Sequence, residues 1–337
     1  MLVKLKDLLL IKNGSDYKHL PAGDIPVIGT GGVMLHVNKF LYDKEAILLP
    51  RKGSLNNIMY INKPFWTVDT MFYAIPNSKI VNAKFLYYRL KLFDFTKYDV
   101  GSTIPSMTAS LYYSLSIDLP SLEIQNKIAS ILSSIDDQIE RNITMAKKLQ
   151  VLTHSTFDYF SKHNNYENKI ALNDIIVEKN KSQTQVNNII DGSGDIPFFT
   201  SGESILYTDN SLTNGFNIFL STGGNAKVQS YYGNVSYSTD TWCITSKNNL
   251  QYYLYGYLKH IESQMDKLYF HGTGLQHLQK PLFLKSIIEI PNNSVIQKFN
   301  LIVEPMYIQI SKLTQSNVKL QRLKNKLLPL LINQQLL

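Results

Sequence analysis

Leu119-Pro120-Ser121-Leu122-Glu123-Ile124-Gln125-Asn126-Lys127-Ile128-Ala129-Ser130-Ile131-Leu132 is where the chain changes its grammar. Ahead of it stand short β-branched and aromatic runs, Ala46–Leu49, Ile58–Ile61 and Phe72–Ile75, separated by Gly, Asn, Ser and Pro as strands are. A helical run interrupts them at Lys84–Leu90. Beyond it, no Gly or Pro occurs from Glu123 to Phe160. There the apolar residues recur as Ile128, Leu132, Ile135, Ile139, Ala146 and Leu149, with Asn142 interrupting. Steps alternating four and three make the seam of a coiled coil.

The same change recurs 171 residues later. At that offset Asp24-Ile25-Pro26 falls on Asp195-Ile196-Pro197, Gly53 on Gly224, Asp69 on Asp240, Gly101 on Gly272 and Pro120 on Pro291. The second half repeats the strand runs at Asn217–Leu220, Val228–Tyr232 and Trp242–Thr245, then the helical run Tyr252–Ile261. After Pro291 its seam reads Phe299, Val303, Met306, Ile310, Leu313, Asn317, Leu320, Leu327 and Leu331. A duplication of this size predicts two related domains, not a solenoid.

The fold class that follows is α+β. Two pseudo-symmetric mixed α/β domains, 1–120 and 168–291, are separated by two long antiparallel coiled-coil helices, 121–163 and 292–334. A helix of about 40 residues is about 60 Å long, too long to hide its stripe within one domain. The two helices are therefore expected to pair with each other. Asn142 and Asn317 either pair in that seam and fix its register or face solvent at a helix edge. Pro305, where the first copy has Ser134, predicts a kink or a late helix start.

Composition narrows the partners. Lys plus Arg exceed Asp plus Glu by 34 to 26, a net charge of +8 that suits a polyanion. A single cysteine, Cys243, excludes a disulfide framework and a thiolate zinc site. The charged N-terminus does not read as a signal peptide, and no apolar run approaches a membrane span. A cytoplasmic protein without a membrane partner is the expectation.

Gly101-Ser102-Thr103-Ile104-Pro105, followed by Leu115-Ser116-Ile117-Asp118-Leu119-Pro120 and the Leu-Glu-x-Gln and Ile-Ala-x-x-Leu of the opening stretch, resembles a family junction. It looks like the border between target-recognition domain and conserved helix in specificity subunits of type I restriction–modification systems. Pro50-Arg51-Lys52-Gly53-Ser54 and Phe65-Trp66-Thr67-Val68-Asp69-Thr70 are also similar to stretches of those domains. The second half departs from the pattern. Ile290–Gln297 lacks the Leu-Glu, and Ser221-Thr222-Gly223-Gly224-Asn225 replaces the Arg-Lys pair.

The resemblance implies a DNA-binding subunit in which each strand-rich domain reads one half of a bipartite, asymmetric site in double-stranded DNA. The helices would set the gap between the half-sites. It implies two adenine-N6 methyltransferase subunits and restriction/translocase subunits as partners. S-adenosylmethionine, ATP and Mg would sit on those partners and no cofactor on this chain.

The candidate contacts with DNA are Arg51, Lys52, Ser54, Ser102 and Thr103 in the first half. Lys227, Gln229, Tyr231, Thr273, Gln276 and His277 are their counterparts in the second. Arginine and lysine in a loop suit guanine edges or phosphates, while hydroxyls and amides suit phosphates. A tight turn accounts equally well for Gly101 and Gly272. Asp69 and Asp240 are repeated, yet no base, nucleophile or metal ligand accompanies either, and a buried turn-capping role is the simpler expectation. The seven histidines are scattered, with no two at a ligand spacing. No phosphate loop, dinucleotide fingerprint or Asn-Pro-Pro-Tyr-like element occurs, so the chain is expected to be non-catalytic. The rivals are a single-chain methyltransferase or nuclease with unrecognised motifs, and a coiled-coil interaction scaffold.

Overall fold

The computed structural model of the chain describes residues 1–101, 103–164 and 166–335. The first half contains strands β1 (Leu2–Lys4), β2 (Leu9–Asn13), β3 (Ala22–Gly29), β4 (Gly32–Val37), β5 (Ala46–Pro50), β6 (Met59–Ile61), β7 (Trp66–Thr67), β8 (Met71–Pro76) and β9 (Ser116–Asp118). Among them lie helices α1 (Leu5–Leu8), α2 (Ala83–Leu90) and α3 (Ala109–Ser114), and β9 leads into α4 (Leu122–His163). The second half has β10 (Tyr166–Ala171), α5 (Leu172–Ile175), β11 (Ile176–Glu178), β12 (Ile196–Phe199), β13 (Ile205–Thr208), β14 (Phe216–Ser221), β15 (Val228–Tyr232), β16 (Ser236–Tyr237) and β17 (Thr241–Ser246). It continues with α6 (Gln251–Tyr269), β18 (Phe270–His271), β19 (His277–Leu278), α7 (Lys280–Leu284), β20 (Ile287–Pro291) and α8 (Asn293–Ile332).

The two halves repeat one topology strand for strand. The first has a four-stranded sheet β2-β8-β5-β6, a three-stranded sheet β4-β3-β7 and the pair β1-β9. The second has β11-β17-β14-β15, β13-β12-β16 and β10-β20, and adds the small hairpin β18-β19. Even the one parallel pairing recurs, β3 with β7 and β12 with β16. The central strands β5 and β14 are buried along their whole length, which is why Ala46-Ile47-Leu48-Leu49 reads as a continuous apolar run without alternation.

The chain forms two compact units whose boundaries fall inside the long helices. Residues 1–137 and 322–337 make one, and 138–321 the other. In the first unit Ile128 and Leu132 on α4, both wholly buried, join a core with Leu5, Leu49, Phe85, Tyr112, Leu331 and Ile332. Gln125, 1% exposed, anchors this end of α4. Its Oε1 accepts from the Asn82 N–H (2.8 Å), and its Nε2 donates to the carbonyls of Pro120 (2.9 Å) and Ile80 (3.3 Å). Asn82 in turn caps α2 by accepting from the Phe85 N–H. The Gln of the opening stretch is thus a structural bracket between two helices. Its counterpart at the 171-residue offset is Ile296, buried in the other core. Further along α4, the Tyr88 hydroxyl donates to Asp136 (2.6 Å), which also holds Lys324 of α8.

In the second unit α4 and α8 run in opposite directions. Asn142 Nδ2 donates to Asn317 Oδ1 at 2.8 Å, and fifteen residues further along α4 the ring of Phe157 packs on Phe299, eighteen residues earlier on α8. Asn142 is only 5% exposed, so the two amides are partners in the seam and not solvated edges. The α8 positions Met306, Ile310, Leu313, Leu320 and Leu327 are half-buried, as are Ile139 and Leu149 on α4. Full burial is found instead at Phe299, Val303, Tyr307 and Ser311, the face that α8 turns to the domain core. Tyr307 stacks on Tyr252, and Ser311 Oγ accepts from the Tyr232 N–H. The stripe read as seam is therefore shared between helix pairing and domain docking.

Replacing Asn142 alone with Leu is expected to cost about 1–3 kcal/mol, because Asn317 Oδ1 and Gln138 Nε2 each lose a hydrogen-bond partner. Converting both to Leu should recover the part of that loss that belongs to Asn317. Thermal unfolding of the two variants checks it, and a double variant weaker than the single one contradicts the pairing argument.

α8 passes through Pro305 as one element and starts at Asn293, so no late start occurs. Asn292 caps it, accepting from the Val295 N–H at 3.0 Å. Pro305 is exposed, and Leu301 one turn earlier is 79% exposed, so the carbonyl deprived of its donor lies on the solvent side. α6 exceeds the expected Tyr252–Ile261 by two turns. Those turns carry Glu262 and Asp266, whose carboxylates accept the N–H groups of Val228 and Ala226 at the start of β15.

Gly256 sets how closely α6 approaches α4. A Cβ there would lie 2.4 Å from the Phe157 ring. Gly256→Ala should gain about 1 kcal/mol of helix propensity and lose more, about 1–3 kcal/mol, to overpacking. A net fall in the denaturation midpoint is expected; a rise would show that Phe157 moves aside freely.

Candidate nucleic-acid interface

The loop after β5 is held by two others. The N–H groups of Arg51 and Lys52 donate to the Thr70 carbonyl at 2.8 and 3.2 Å, tying the loop to the turn after β7. Gly53 N–H donates to Pro105 O (2.8 Å) and Met107 N–H to Arg51 O (2.9 Å), tying it to the segment 99–107. That segment is braced internally. Asp99 accepts from the N–H groups of Ser106 (2.7 Å) and Gly101 (2.8 Å), which hold its carboxyl below the usual carboxylate range. The Arg51 guanidinium lies 5.9 Å from the centre of the Phe72 ring, within 3.4 Å of the Asp69 carbonyl, so it is partly preorganised. Lys52, Ser54 and Thr103 are exposed.

The second half repeats the two bonds that join the paired segments. Gly224 N–H donates to Gln276 O (2.9 Å) and Leu278 N–H to Thr222 O (3.1 Å), each 171 residues from its counterpart. The isolated bridge Lys52–Ser106 recurs as Gly223–His277. Thr222 is tied to the turn after β16 through the Asp240 carbonyl (3.1 Å). Gly101 and Gly272 serve the turns themselves. A Cβ at either would press on the carbonyl oxygen three residues on, Ile104 at 1.9 Å or Leu275 at 2.5 Å. The scaffold is repeated within the chain while the displayed groups differ: Arg51-Lys52 and Thr103 in one half, Thr222-Gly223, Thr273, Gln276 and His277 in the other.

Most sequence-nominated residues thus converge on these two knots, and three do not. At the 171-residue offset Lys227, Gln229 and Tyr231 match Asn56, Ile58 and Tyr60, not Arg51 and Lys52. Tyr231 is 6% exposed within a cluster of Phe199, Phe219 and Tyr237, which removes it from any surface. Gln229 is half-buried on β15, and Lys227 Nζ is held by the Gly202 carbonyl at 3.0 Å. Ser102 lies outside the described residues. The sequence reading missed Ile104 and Leu275, 57% and 65% exposed at equivalent loop tips. An apolar residue three positions after the repeated glycine was the available signal, and such a side chain suits a thymine methyl group.

Asp69 and Asp240 are exposed, contrary to the expected buried caps. Their backbone carbonyls, not their carboxylates, brace the neighbouring loops. Cys243 is buried at 2% exposure, and burial pushes its thiol up to about 12, which keeps it protonated and inert. No described helix is long and apolar enough to cross a membrane.

Comparison with known proteins places this geometry. The type I restriction modification DNA specificity domain matches residues 1–151 and again 165–322. The MjaIX type I restriction enzyme specificity subunit of Methanocaldococcus jannaschii is 24% identical over 343 residues, covering 87% of this chain and 78% of its own length. The HindI specificity subunit of Haemophilus influenzae is 32% identical over 99 residues, 27% of this chain and 22% of that one. The crystal structure of a type I restriction–modification S subunit from M. genitalium superposes with a TM-score of 0.69 at 17% identity, covering 98% of this chain and 95% of the other. That likeness establishes the fold.

Proposed function

We propose, since this chain belongs to the family of the type I restriction modification DNA specificity domain, that it recognises a bipartite, asymmetric DNA site, one half-site per recognition domain. The observation that carries this is the repeated loop knot: a backbone scaffold that keeps two hydrogen bonds and an isolated bridge in both copies presents different side chains. Two readers of identical build and unequal surface suit a site with two unequal halves. The +8 charge adds the non-specific attraction to phosphates on which base reading rests.

In this reading Arg51 and Lys52 contact the first half-site, and Thr273, Gln276 and His277 the second. The paired helices set the gap, and methyltransferase and restriction subunits dock on the chain. S-adenosylmethionine, ATP and Mg belong to those partners, and the methylated adenine is extruded into the partner's pocket. The chain incubated alone with S-adenosylmethionine and DNA should transfer no methyl group; transfer by the isolated chain would sink the non-catalytic assignment.

The double variant Arg51→Ala/Lys52→Ala tests the interface directly. In the complex with methyltransferase, the slope of log affinity against log salt is expected to fall by about one for each phosphate no longer bound. Specific affinity should fall by about 1–3 kcal/mol if Arg51 also reads a base. Mismatches in the second half-site should be penalised as before. An unchanged affinity and slope would remove this loop from the interface.

A further inference from the structure

Where α4 and α6 come closest, two histidines converge on one carboxylate. We propose that His154, Asp158 and His260 form a transition-metal site, with zinc the fitting ion, that staples α6 of the second recognition domain to the α4 segment of the same compact unit. One potential ligand atom from each residue lies within 4.8 Å of the other two. His260 Nδ1 is 3.1 Å from Asp158 Oδ1, and His154 Nε2 is 3.9 Å from Asp158 Oδ2. The imidazole rings are 6.2 Å apart and tilted by 32°.

The backbone positions these groups without calling on the metal. His154 and Asp158 are one turn apart on α4 and so share a face. His260 stands one turn beyond Gly256, the residue whose missing side chain lets α6 close on Phe157. The Phe157 and His260 rings are consequently 6.0 Å apart. One carboxylate needs at most one cation, yet two imidazoles face it. The neighbouring Lys259 is engaged elsewhere, with Glu262 and the Val228 carbonyl, and so does not compete. Two neutral imidazole nitrogens and a carboxylate oxygen are a donor set that zinc accepts, at about 2.0–2.2 Å per bond, with water as a fourth ligand. All three residues are partly exposed, which leaves their side chains room to rotate toward that size. The first half has Arg89 at the position of His260, so the staple belongs to one domain only.

The experiment titrates the metal-free full chain with Zn²⁺, and with Co²⁺ as a spectroscopic substitute, beside the variants His154→Gln, His260→Gln and Asp158→Asn. One saturable equivalent is expected, with a visible four-coordinate Co²⁺ band and a thermal midpoint that rises on adding Zn²⁺. Each histidine variant should weaken binding by more than about tenfold and lose the midpoint rise, while its metal-free midpoint stays near that of the parent. Equal binding by parent and variants would assign the ion to other histidines and overturn the proposal. So would the lack of any saturable binding.

Discussion

Exchanging residues 1–120 for the first recognition region of a relative is expected to replace one half of the methylated DNA site entirely and leave the other half unchanged. The junction is well placed for this. β1 and β9 pair within the exchanged segment, so every sheet of the first domain travels intact. The new segment must still meet α4 through groups equivalent to Asn82, which binds Gln125, and Tyr88, which binds Asp136. The loop knot at 51–54 and 99–107 is carried across whole, and the knot at 222–225 and 272–278 is untouched. Each mismatched base pair costs about 1–3 kcal/mol, so three altered positions shift preference by roughly a thousandfold. Modified-base sequencing of DNA from cells expressing the chimera with its methyltransferase measures the outcome. Changes in both half-sites would refute modular reading.

Inserting seven residues before Asn142 in α4 and seven after Asn317 in α8 is the second large test. These points lie level in the antiparallel seam, since the two asparagines bond each other. Seven residues are two turns at the 3.5-residue period, so the apolar stripe keeps its face. The added length is about 10 Å at 1.5 Å per residue, or about three base pairs of duplex. The gap in the methylated site should lengthen by about that amount while both half-sites keep their sequence. The same insertion in one helix alone should destroy activity, because the Asn142–Asn317 and Asp136–Lys324 pairs can no longer both keep register. An unchanged gap in the double insertion would show that the helices do not set the spacing.

Much of this molecule was legible in the sequence because duplication and periodicity are backbone-level signals. The fully buried strand β5 announced itself as an unbroken apolar run, and the seam asparagines stood out as polar breaks in a heptad. Gln125 was visible only as part of a motif. Its work, joining α4 to the cap of α2, depends on a contact 43 residues away in the chain. Tyr231 is nominated as a DNA contact from its place beside Lys227 and Gln229. Strand alternation alone could not say that its face meets Phe199 and Phe219. Tyr307 and Ser311 were overlooked because a three-four repeat describes one partner, and α8 has two.

The sequence by itself determined the two copies, their strand-to-helix order, the long amphipathic helices, and the loops in which the halves differ. Those follow from local pattern, since a side chain's period and a turn's residues act over a few positions. Only the tertiary structure decided which loops meet. The 51–54 segment is tied to 99–107, and 222–225 to 272–278, by hydrogen bonds spanning about fifty residues. It likewise decided that His154, Asp158 and His260 converge, since Gly256 reads as a helix-weakening residue until Phe157 is set against it. Bonds of that range depend on how sheets and helices stack, and stacking is a property of complementary surfaces that no single stretch of chain contains.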